Sequence, residues 1–143
     1  MLFRSFWPGP LTLVLHRSKL VSDLITGNQN FVAVRLPKNE TTLKLINILK
    51  NDGIQGLVAP SANRFQEVSP TSAQDVLDSL GEFLGDDDLI LDGGICSVGI
   101  ESTIIDCTGA SPKILRYGSI SQDRKSTRLN SSHVSESRMP SSA

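Results

Sequence analysis

The sequence predicts an α/β fold, an open and twisted mixed sheet with flanking helices. Three observations predict it. Compact β-rich apolar runs at residues 11–16 (LTLVLH) and 31–36 (FVAVRL) are bounded by the breakers Pro8-Gly9-Pro10 and Pro37. Helical patterns at residues 41–50 and 71–80 fall between such runs and further strand candidates. The spacing is not a regular strand–helix–strand repeat, so a mixed sheet is expected rather than a wholly parallel one.

The first helix carries Leu45, Ile46, Ile48 and Leu49 and stops at Asp52-Gly53. A short strand is expected at residues 56–59. The second helix is preceded by Pro70, has Thr71 and Gln74 in capping-box spacing, and ends at Gly81. Ala73, Val76, Leu77 and Leu80 then share one helical face. Asp86-Asp87-Asp88 reads as a solvated turn. Strands are expected at residues 89–91, 102–106 and 113–115, with Gly93, Gly94, Gly99 and Gly109 marking turns between them.

The chain has 143 residues, 38% hydrophobic and 20% charged, which suits one soluble globular domain. No apolar run approaches the roughly 20 residues that span a bilayer, so no membrane association is expected. The N-terminal residues lack a basic segment followed by an apolar one, so secretion is not expected. Cys96 and Cys107 lack CxxC spacing and read as reduced, buried thiols rather than zinc ligands. The formal net charge of −1 excludes a generally polycationic nucleic-acid binder and leaves only a local basic patch for such a role. From Asp123 onward seven of 21 residues are Ser and apolar periodicity is lost, which predicts disorder. That stretch also resembles translated sequencing-adapter sequence, so residues 122–143 are expected to be a non-native tail.

Three segments carry candidate chemistry. In Ala59-Pro60-Ser61-Ala62-Asn63, Pro60 fixes one dihedral and small residues flank an exposed hydroxyl, so a phosphate or carboxylate could approach closely. Ser69-Pro70-Thr71 stands at a helix start, where unpaired N–H groups favour anions. Ser61 and Ser69 could therefore face one anionic ligand; they read equally well as a turn residue and a cap. Arg35 lies inside an apolar strand and wants an anionic partner, unless alternation turns it to a solvated face. Arg116 has the same two readings. The run from Gly99 to Asp106 delivers Glu101, Ser102 and Thr103 at a strand entry, with Glu101 either structural or a cation ligand. No His–carboxylate pair, activated nucleophile or Walker-type loop is evident, so the chemistry suggested is positioning and charge neutralisation.

These segments resemble one family. Phe6-Trp7-Pro8-Gly9-Pro10-Leu11-Thr12, Val32-Ala33-Val34-Arg35-Leu36-Pro37, Ala59-Pro60-Ser61-Ala62-Asn63, Ser69-Pro70-Thr71, Leu91-Asp92-Gly93-Gly94, Gly99-Ile100-Glu101-Ser102-Thr103-Ile104 and Ile114-Leu115-Arg116 occur in the order seen in YrdC-like proteins. The resemblance implies a partial YrdC-like domain over residues 1–121, incomplete at the N-terminus, because relatives carry upstream Thr-x-Tyr-Gly-Leu and Lys-x-Arg motifs. It implies synthesis of threonylcarbamoyl-AMP and pyrophosphate from L-threonine, bicarbonate and ATP, with Mg2+ on the ATP phosphates. A downstream tRNA threonylcarbamoyl transferase complex would use the product to modify the adenosine beside the anticodon, in the cytoplasm. By position, Arg35, Ala59 and Ser102 would face threonine, and Phe31, Ser61, Ser69 and Arg116 would face ATP. Backbone groups near Phe31 and Ala59 supply their share of that lining. Two departures stand out: Tyr117 replaces a usual Pro, and Gln66 replaces a Gly expected to hold a positive φ. Two alternatives come from other classes: a non-catalytic double-stranded-RNA-binding module, and the YrdC-like part of a hydrogenase-maturing carbamoyltransferase.

Overall fold

A computed structural model describes residues 3–96 and 101–120. The expected turn at Gly99 and the expected tail at 122–143 lie outside the described residues.

Among the described residues four strands form one sheet: β1 (Leu11–His16), β2 (Phe31–Arg35), β3 (Thr103–Asp106) and β4 (Lys113–Arg116). Their order is β2-β1-β3-β4. β1 is antiparallel to β2 and parallel to β3, and β3 is antiparallel to β4. The expected mixed sheet is present. Its one parallel step, β1 to β3, needs a long connection, and the chain between them holds β2 and the larger helices.

Alternation gives the sheet two unlike faces. Leu11, Leu13 and Leu15 of β1 share a face with Val32 and Val34 of β2 and with Thr103 and Ile105 of β3. Leu11 and Leu13 are buried, at 1% and 5% exposure. Burying each side chain favours folding by about 1.5–3 kcal/mol. Thr103 is buried among them at 3% exposure. Its hydroxyl is satisfied there by the N–H groups of Gly118 (3.1 Å) and Ile120 (3.3 Å). The other face carries Thr12, Val14 and His16, set against Arg35, Ala33 and Phe31 of β2 and Ile104 and Asp106 of β3.

The β3–β4 register is irregular. Ile105 opposes Ile114, yet Ile104 opposes Arg116, leaving Leu115 as an extra residue in a bulge.

The described residues also form three helices, α1 (Asp23–Thr26), α2 (Glu40–Asn51) and α3 (Ala73–Leu80), with 3-10 turns at Phe3–Ser5 and Gly81–Phe83. Asn39 caps α2 by accepting from Thr42 N at 3.0 Å, and its Nδ2 donates to the Gly93 carbonyl at 3.1 Å. Apolar residues on α2 and α3 are half-buried or exposed rather than fully buried. The cap of α3 lies one residue beyond expectation. Ser72 and Asp75 form the capping box, with Asp75 N donating to Ser72 Oγ (3.1 Å) and Ser72 N to Asp75 Oδ2 (3.0 Å). Asp75 also takes the Thr71 N–H (2.8 Å) and hydroxyl (2.9 Å). A carboxylate at N3 outcompetes the Gln74 amide for these N–H groups, and Gln74 binds Asp78 instead at 2.7 Å.

Further expectations are corrected. Residues 56–59 and 89–91 form no strand: neither segment pairs with the sheet, and Val58 and Leu89 are 68% and 84% exposed. An apolar run without a partner strand leaves its backbone groups to water. The cysteines are free but not buried, Cys96 being exposed and Cys107 partly covered. Partial burial and the nearby Asp106 charge raise the Cys107 thiol above its ordinary pKa. Residues 86–88 are the expected solvated turn, closed by Gly85 N donating to Asp88 Oδ2 at 2.8 Å.

Candidate ligand site on the polar face of the sheet

The pairing aligns Arg35, Thr12, Ile104 and Arg116 across the four strands, with polar side chains on β2, β1 and β4. Thr12 stands opposite Arg35 on one side and Ile104 on the other, and Ile104 opposes Arg116. Directly paired residues project to the same face, so Arg35, Thr12 and Arg116 share it. Ser102, two residues before Ile104, joins them: its hydroxyl lies 2.8 Å from the Thr12 hydroxyl.

Arg116 organises the right-hand half of the row. Its Nε and Nη2 donate to the Ser102 carbonyl at 3.1 and 3.0 Å, and Nη2 also reaches Ser102 Oγ at 3.3 Å. Its Nη1 forms an ion pair with Glu101. Glu101 accepts in turn from the Ser69 hydroxyl at 3.3 Å. Glu101 thus joins Arg116 and Ser69 in one polar network. The anion that meets Ser69 in this structure is a carboxylate of the chain itself.

Arg35 closes the other end. Its Nε donates to the Gly9 carbonyl at 3.1 Å, and among the described residues it has no ion pair. It is exposed. The two readings of Arg35 therefore merge, because the solvated face to which alternation turns it is the face of the candidate site.

The remaining sequence candidates stand apart from this row. Phe31 is on the same face at the far end of β2, 40% exposed, its ring 5.1 Å from that of His16. Ala59 and Ser61 lie in an exposed loop, outside the hydrogen-bonded cluster. That loop turns at Gln66, whose φ is 70°, the left-handed conformation expected at this position. The turn is closed by Glu67 N donating to Arg64 O at 3.1 Å. Sequence reasoning missed Thr12. Its signal was the single hydroxyl in Leu11-Thr12-Leu13-Val14-Leu15, a polar residue on the alternate face of an apolar strand.

Among the described residues, no group of three or more His, Cys, Asp or Glu side chains is placed to hold a metal ion. Among the described residues the site has an uncompensated cation at the Arg35 end, a charge-paired guanidinium at the Arg116 end, and hydroxyls between them. Such a surface can bind and orient an anionic substrate without supplying a nucleophile.

Residues 1–118 match the protein family Sua5_yciO_yrdC, described as "Telomere recombination". The chain belongs to the Sua5–YciO–YrdC family. Among Sua5-type relatives, it is 46% identical over 120 residues to the threonylcarbamoyl-AMP synthase of Pyrococcus abyssi, a match covering 84% of this chain and 33% of that protein. It is 42% identical over 124 residues to the Schizosaccharomyces pombe enzyme of the same name, covering 84% of this chain and 29% of that one. The solved structure of P. abyssi Sua5 complexed with L-threonine superposes with a TM-score of 0.78 at 42% identity, over 89% of this chain and 35% of that one. Escherichia coli YciO shares the fold, with a TM-score of 0.65 at 24% identity over 82% of this chain and 54% of that one. The chain thus spans about a third of the length of the two synthases it matches at 33% and 29% coverage.

Proposed function

We propose that this chain carries the threonine- and ATP-facing sheet of a threonylcarbamoyl-AMP synthase. The observation that carries the reading is the row Arg35, Thr12, Ser102 and Arg116 on one sheet face. It is supported by 46% identity to a relative named for this activity and by a relative solved with L-threonine.

The reaction joins L-threonine, bicarbonate and ATP. A C–N bond forms between the threonine amine and the bicarbonate carbon with loss of water. An O–P bond then forms from the new carbamate to the α-phosphate, while the bond to pyrophosphate breaks. In this reading Arg35 pairs with the threonine carboxylate, which suits a guanidinium with no carboxylate partner among the described residues. Ser102 faces threonine, and Ala59 adds backbone groups nearby. Arg116 lies against the nucleotide, with Ser61 and Ser69 toward its phosphates and Phe31 beside it. Arg35 and Arg116 are three strand spacings apart, about 14 Å, which accommodates an amino acid beside an α-phosphate. Magnesium would arrive on the ATP phosphates, since the described side chains do not build a cage for it. The product would pass to a tRNA-modifying transferase complex in the cytoplasm. No helix among the described residues is long and apolar enough to cross a membrane.

The test is pyrophosphate release from ATP that depends on both threonine and bicarbonate, run beside calorimetric titration of threonine. A folded chain that neither binds threonine nor releases pyrophosphate overturns the reading.

A further inference from the structure

We propose that Arg64 is a positioning residue for ATP, fixing the loop that carries Ser61 and Ser69 against the C-terminal end of α3. The proposal rests on the reading of those serines as ATP contacts.

The loop has little else to hold it. Residues 64–68 are all exposed, with Phe65 and Val68 at 93% and 90%, and no strand pairing runs through them. Burial therefore does not set the loop's position; specific polar contacts must. They converge on Arg64. Its backbone N–H donates to Ser79 Oγ at 3.2 Å and to Glu67 Oε2 at 3.3 Å. Its Nε donates to the Ser79 carbonyl at 2.9 Å, and its Nη2 pairs with Glu82. The guanidinium carbon lies 4.9 Å from the centre of the Phe83 ring. Ser79 Oγ donates to Glu67 Oε2 at 2.5 Å, tying the far side of the turn to the same helix end.

The backbone of Arg64 is gripped as well. Its carbonyl accepts from Asn63 Nδ2 at 2.8 Å and from Glu67 N at 3.1 Å. One side chain thus joins the turn, the helix end and an aromatic face. The planar fork is needed for this, because a single ammonium cannot serve the Ser79 carbonyl, Glu82 and the Phe83 ring together. Arg35 and Ser102, the residues read as threonine contacts, sit on the sheet and are not reached by this clamp. A loosened clamp should therefore harm one ligand and spare the other.

The experiment titrates ATP and L-threonine separately into the full chain and its variants, with thermal melting as a folding check. Arg64→Ala is expected to weaken ATP about tenfold and leave threonine within about twofold, the scale of a displaced positioning element. Arg64→Lys should recover part of the loss. Glu82→Gln, which removes one arm of the clamp, should show a smaller shift in the same direction, and it decides the question if Arg64→Ala does not fold. Equal weakening of ATP and threonine, or unchanged ATP affinity in a folded variant, overturns the proposal. Absence of ATP binding by the unaltered chain overturns the functional reading and the proposal together, which separates the two failures.

Discussion

Arg116 grips the carbonyl of Ser102 with two guanidinium nitrogens, Nε at 3.1 Å and Nη2 at 3.0 Å. A planar fork makes this bond as a unit, and the remaining nitrogen is left for Glu101. Lysine keeps the charge but not the fork. Arg116→Lys is therefore expected to lose about 1–2 kcal/mol of stability through the β3–β4 edge, read as a lowered urea midpoint. An unchanged midpoint would show that the bidentate contact contributes nothing beyond charge.

Arg35 predicts the opposite balance. It is exposed and donates from Nε to the Gly9 carbonyl. Arg35→Ala should shift stability by no more than about 0.5–1 kcal/mol. Threonine affinity should fall at least about tenfold, or 1.4 kcal/mol, with ATP affinity largely kept. Calorimetry with each ligand alone checks this, and equal loss of both would show the role to be misassigned.

Gln66 holds φ at 70° without being glycine. The left-handed conformation costs an L-residue about 1–2 kcal/mol, part of which glycine's greater unfolded freedom offsets. Gln66→Gly should therefore raise stability by about 0.5–1 kcal/mol, and Gln66→Val should lower it. Denaturant melts of the pair test the sign.

Asp75 gives a pH dependence. The Thr71 N–H, followed by the Thr71 and Ser72 side chains, holds its carboxyl below the ordinary carboxylate range. A group whose folded pKa is depressed contributes stability that is complete above its unfolded pKa and is lost as pH falls through the folded one. The start of α3 should thus loosen on acidification below the ordinary carboxylate range, seen as faster amide exchange at Asp75 and Val76. Asp75→Asn should remove that part of the pH slope; an unchanged slope would mean that another carboxylate governs it.

Much of this was legible in the sequence, and the misses have identifiable causes. The strands expected at residues 11–16 and 31–36 and the helix expected at 41–50 follow from local pattern and breakers, and the structure places them within a residue or two of expectation. Residues 56–59 and 89–91 have the same local pattern, but a strand exists only where another strand accepts it. The cap of α3 moved from Thr71 to Ser72 because two hydroxyl residues compete there and only Ser72 has an acid three places on. Arg35, Ser102 and Arg116 could be picked out singly. Their alignment could not, because it depends on the pairing of β1 with β3, whose partners such as Leu11 and Thr103 are far apart in the chain. Arg64 gave no signal, since its partners Ser79 and Glu82 come into reach only through the fold.

The bulge at Leu115 decides which way Arg116 points. In an unbroken ladder Ile104 would oppose Leu115, and Arg116 would fall in step with Thr103, on the side where Leu11 and Leu13 are sealed from water. One supernumerary residue reverses the parity of the strand's last position and delivers the cation to the hydroxyl-lined side instead. The site is in this sense written in chain length as well as in residue type: deleting Leu115 would remove no polar group and would still turn the guanidinium away from Ser102.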